Sequence, residues 1–152
     1  MARYTRLFLV ASVVYLLGGA AFGMLMAVDS QRSPLYRFIH IHFLFLGFMV
    51  MLCAGLVYEL LPRIRGAQIR WPNLVPTHFY LANIGLVGKC LSFVLQRQIG
   101  SIPFAGFATL TVISLILFSL NLIASLPTSS GAQRDLSNQA VPNSRKEIRR
   151  AA

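Results

Sequence analysis

At 152 residues, with 56% hydrophobic and only 12% charged positions and a mean hydropathy of +0.65, the chain departs from soluble domains, where about a quarter of residues are charged. That balance excludes an ordinary water-soluble fold and points to a membrane. The formal charge of +10 does not point to nucleic acid, because the basic residues stand between and beyond the apolar runs and form no face interleaved with aromatic side chains. They suit membrane topology and lipid headgroups instead.

The first predicted span runs from Leu7 to Val28 and is preceded by Arg3 and Arg6. A signal peptide shares the basic start, but its apolar region covers about 7–15 residues. This run is longer, so a retained helix is expected. Gly19 and Gly23 form a GxxxG pair that lets another backbone come close. Met24 and Met26 read as gap-filling core residues, with an axial thioether ligand as the alternative.

The connector Asp29–Arg37, with Ser33, Pro34 and Tyr36, reads as a short turn with an interfacial aromatic. It opens the central span, Phe38 to Leu61, which at about 1.5 Å of rise per residue is long enough to cross a hydrocarbon layer of about 30 Å. His40 and His42 lie near its start. An imidazole seldom sits in lipid without a partner, so both are functional candidates. Helical geometry turns them about 200° apart, onto nearly opposite faces. They cannot chelate one metal ion together, and each must meet something different.

The loop Arg63–Thr77 is basic, carries Pro72 and Pro76, and places Trp71 in the headgroup zone. The third span, Phe79 to Leu95, is short and interrupted by Lys89, with His78 and Tyr80 at its start. A turn, Gln96–Ser101, carries Arg97 and leads to Pro103 and the uncharged fourth span, Ile102 to Leu126. Every proline is expected at a span end or outside, because a regular helix in lipid needs all its backbone hydrogen bonds. Cys53 and Cys90 would lie about 13 Å apart in depth on antiparallel spans, whereas a disulfide needs Cα atoms within about 7 Å. Both are expected to be free thiols. From Pro127 onward the chain turns polar and basic, and residues 127–152 are expected to be a disordered tail.

Arg3 and Arg6, the loop residues Arg63, Arg65 and Arg70, and the tail residues Arg134, Arg145, Lys146, Arg149 and Arg150 outnumber Arg32, Arg37 and Arg97 in the other two connectors. The positive-inside rule then puts both termini in the cytoplasm of a prokaryotic inner membrane. The expected fold is an all-α, four-transmembrane-helix bundle over residues 1–126, with the tail beyond it. A reporter fused after Ser130 should therefore read as cytoplasmic, and an external reading would overturn the charge count. In this orientation His40 and His42 lie near the outer face and His78 near the inner, too far apart to share one iron. Arg32, Arg37, Lys89 and Arg97 gather near the outer face, with Lys89 expected to snorkel outward. Such cations suit heme propionates, and they suit ordinary headgroup contacts too.

Arg37-x-x-His40 followed by Gly47, Gly55, Tyr58 and Pro62 resembles the second helix of heme-copper oxidase catalytic subunits and related nitric oxide reductases, where that histidine ligates the low-spin heme. His40-Ile-His42 also resembles the histidine-x-histidine of a later helix in those enzymes, whose two histidines face two hemes. The stretch Thr77 to Gly85 resembles short four-helix proteins grouped as subunit I-like, and the resemblance spans Arg37 to Gly88. It implies a b-type heme held by His40 and His42, with His78 as a further candidate metal ligand and Arg37, Lys89 and Arg97 toward the propionates. It also implies electron transfer, or binding or reduction of O2 or NO, by a homodimer or beside other respiratory membrane subunits. The three histidines of the chain are fewer than the family's two metal centres need, so a complete oxygen or nitric oxide reductase and a copper site are not expected. Two other readings stand beside this one. The first is a structural or assembly subunit in which His40 and His42 are interfacial polar residues. The second is a transporter built around Lys89 and Glu59, which would lie about 11 Å apart in depth.

Overall fold

The computed structural model describes residues 3–65, 69–95 and 100–126. Among them run four helical rods and no strand. The first is α1 (Arg3–Val28). The second is continuous and consists of α2 (Ser33–His42), a π-helical stretch (Phe43–Val50) and α3 (Met51–Arg65). The third and fourth are α4 (Leu74–Val94) and α5 (Ile102–Ser125).

Three segments, Arg3–Val28, Ser33–Arg63 and Ile102–Ser125, are long and apolar enough to cross a membrane, which marks an integral membrane protein. α4, at 21 residues, is not among them because His78, Asn83 and Lys89 lower its hydropathy. Its polar positions are sheltered instead, with His78, Lys89 and Ser92 all buried. A polar side chain at membrane depth is tolerated where the bundle, and not lipid, surrounds it.

α4 begins at Leu74, ahead of the expected Phe79. The Leu74 and Val75 amides donate to the carbonyls of Trp71 and Pro72 at 3.0 and 3.2 Å, and Pro76 falls in the first turn, where its missing N–H costs nothing. Pro34 and Pro103 likewise sit at helix starts. Pro62 corrects the expectation that every proline ends a span, because α3 continues through it to Arg65. It lies in the last turn, so only the bond to the preceding turn is lost. Met24 is also corrected. It is 70% exposed and faces outward instead of filling the core.

α1 packs along the whole second rod, and α4 packs most closely on α5. Small residues set these approaches. The Gly19–Gly23 pair of α1 is used within the chain: Leu44 lies over Gly19 and the His40 ring over Gly23. Tyr15 fills the space over Gly47. At Gly85 a Cβ would come within 2.8 Å of the Thr111 backbone nitrogen and 3.1 Å of the Phe107 carbonyl oxygen, atoms that cannot swing aside. Gly85→Val should therefore lose about 1–3 kcal/mol or more, read as a lowered unfolding temperature in detergent. Gly106→Ala, with nothing within 4 Å of its Cβ, should not.

Two buried clusters result. One holds Phe8, Met51, Ala54, Tyr58, Val75 and Ala82, and the other Tyr15, Ile39, Leu86 and Cys90. Cys53 and Cys90 are both free, the first exposed and the second buried.

Candidate functional site

The site is built from the top of the second rod. His40 turns toward α1, where its Nδ1 lies 2.7 Å from the Gly19 carbonyl oxygen. A carbonyl only accepts, so Nδ1 carries the hydrogen and Nε2 is left with the lone pair. Gly23 makes room for the ring, since a Cβ there would stand 3.0 Å from both Cε1 and Nδ1. With Ile41, Leu44, Phe45 and Met49, His40 lines a shallow apolar groove on the outside of the bundle. The π-helical stretch begins directly after His42, and such stretches are enriched at functional sites.

His42 faces elsewhere, as the helical spacing predicts. Its Nδ1 donates to the Phe38 carbonyl at 2.7 Å, and its ring lies 4.1 Å from that of Phe38. Phe38 in turn stacks on Phe93 of α4 at 3.9 Å, and Lys89 is close enough to His42 for their charges to interact. The two histidines thus hold the same tautomer on different sides of one helix.

Arg37 is exposed, and Arg32 reaches Asp29 at 3.9 Å. Lys89 corrects the snorkelling expectation. It is 6% exposed, because its position on α4 turns into the bundle beside His42 and Cys90. Arg97 lies outside the described residues.

His78 stands apart from the pair. Its ring is fully buried, stacked on Phe118 at 5.2 Å and 5.0 Å from Phe8. The Tyr58 hydroxyl lies 3.4 Å from Nδ1, and Nε2 has no hydrogen-bond partner among the described residues. Phe8 marks the level of His78 on α1 and Gly23 that of His40, a separation of about 22 Å of helical rise. Glu59 pairs with Arg63 one turn on, toward the same end of the bundle as His78 and away from Lys89, which weakens the transporter reading.

Several polar residues escaped the sequence reading. The Tyr15 hydroxyl donates to Asn83 Oδ1 at 2.8 Å, bridging α1 and α4. Fully buried Asn121 clasps the Trp71 backbone, accepting from its N–H and donating to its carbonyl, both at 3.2 Å. The signal was present in the spacing of Thr111, Ser114, Asn121 and Ser125, all buried on α5 at helical intervals of three, four and seven. They form one buried polar stripe in a largely apolar span.

Among the described residues no group of three or more His, Cys, Asp or Glu side chains is placed to hold a bare metal ion. No protein-family model, curated protein or solved structure matches the chain.

Proposed function

We propose that this integral membrane protein binds a b-type heme through His40 and acts in electron transfer or in binding a small gas such as O2 or NO. The supporting observation is the hydrogen bond from His40 Nδ1 to the Gly19 carbonyl, beside an open apolar groove. Metal-ligating histidines commonly donate their second ring nitrogen in this way, which fixes the tautomer and raises the basicity of the other nitrogen. A porphyrin supplies nitrogen ligands of its own, so a single imidazole on an apolar wall suits it where a bare ion would find too few ligands among the described residues. When bound, the heme would supply a one-electron couple and an iron able to take a small gas.

In this reading His40 would hold the heme iron, and Ile41, Leu44, Phe45 and Met49 would form the apolar wall. Exposed Arg37 supplies positive charge one turn away. His42, with Lys89 beside it, offers a second imidazole on the opposite face. His78 serves the packing of the other half of the bundle. Because the groove opens outward, a second copy or another respiratory membrane subunit would close it.

A structural or assembly role is the second reading. It is favoured by the fact that both imidazoles already have backbone partners. The absorption spectrum of the chain purified from heme-replete cells separates the two. A Soret band supports heme binding, and a folded, colourless protein supports the structural role.

A further inference from the structure

At the end of the bundle away from His40 and His42, exposed cations gather where α3 ends and α4 begins. Arg3, Arg6, Arg63 and Arg70 are all exposed there, and the carboxylate that the described residues bring to this end, Glu59, is already paired with Arg63. Beside them an open cavity is lined by Trp71, Asn73, Leu74 and Leu120. Its wall is rigidly built. Asn121 holds both the N–H and the carbonyl of Trp71, and the Ser125 hydroxyl accepts from the Arg70 amide at 3.0 Å. This fixes the backbone of the loop on α5 while the Trp71 side chain stays 44% exposed.

We propose that this cavity seats one anionic phospholipid, with an acyl chain along Leu74 and Leu120 and the phosphate at Arg70. The cavity is lined by two leucines and an indole, and exposed Arg70 directly precedes Trp71 in the chain, so the occupant has to be apolar along the cavity and anionic at its edge, at the boundary where an amphipathic indole prefers to lie. A phospholipid has that construction. A second copy of the chain does not, because it would bring the same exposed arginines against these. The inference is independent of heme binding at His40.

Trp71 is the single tryptophan of the chain, so its fluorescence reports on this cavity alone. The full chain is reconstituted in vesicles of fixed phosphatidylcholine and phosphatidylglycerol content, and in parallel samples one or the other lipid carries brominated acyl chains, which quench an indole on contact. Brominated phosphatidylglycerol should quench more, corresponding to a preference of about five-fold for the anionic lipid from one arginine at the site. Arg70→Gln should lower that preference several-fold, while Arg70→Lys, which keeps the charge, should preserve it. Equal quenching by the two lipids, absence of quenching by either, or an undiminished preference in Arg70→Gln would each overturn the proposal.

Discussion

His40→Ala is expected to abolish the imidazole-ligated heme spectrum of the purified protein, while His78→Ala leaves it nearly unchanged. The first substitution removes the imidazole whose tautomer is fixed by the Gly19 carbonyl. No other imidazole lines that groove: Ile41, Leu44 and Phe45 have no side-chain donor atoms, and the Met49 thioether would not reproduce an imidazole-ligated spectrum. Disturbing a partner of a ligating histidine typically costs 10- to 100-fold in metal affinity, and removing the ligand itself should cost more. His78 is enclosed by Phe8, Tyr58 and Phe118, about 22 Å along the bundle from the groove, so its loss should act on stability alone. Spectra compared at equal folded protein check both. An unaltered His40→Ala spectrum together with heme loss in His78→Ala would mean that the ligand is misassigned.

Phe8→Ala should be the most destabilising substitution in the bundle, at about 3–5 kcal/mol. Phe8 is fully buried, and its ring centroid lies 5.0 Å from both His78 and Phe79 and 5.7 Å from Tyr58. One side chain on α1 therefore ties α3 and α4 together. Removing it opens a void beside a buried imidazole that water could enter only at the cost of the surrounding packing. Denaturant unfolding in mild detergent measures the loss. Val13→Ala serves as the comparison, since Val13 is 53% exposed and faces the surroundings of the bundle. Near wild-type stability for Phe8→Ala would mean that α1 does not pack as described.

Three of the rods were legible in the sequence because each is an apolar run of membrane-spanning length, and length needs no knowledge of partners. The opposed facing of His40 and His42 was legible for the same reason, since it follows from helical rotation alone. The boundaries were less so. The start of α4 depends on a turn made by Trp71 and Pro72, and α3 runs through Pro62 because the break falls in its last turn. Lys89 was misjudged because its direction depends on how α4 rotates against α2 and α5, a tertiary choice that no local pattern encodes. The tautomer of His40 needs the Gly19 carbonyl in space. The same is true of the Asn121 clasp on Trp71: the polar stripe of α5 could be read from spacing, but not what it grips. The π-helical stretch left no mark that separates Phe43–Val50 from an ordinary apolar helix.

Hemin titration of the purified, folded chain in mild detergent tests heme ligation by His40 most directly. A saturable conversion to an imidazole-ligated heme spectrum is expected in the wild type and is expected to be missing in His40→Ala. A wild-type chain that remains folded and takes up no heme, or a His40→Ala chain that titrates to the same spectrum, would contradict it.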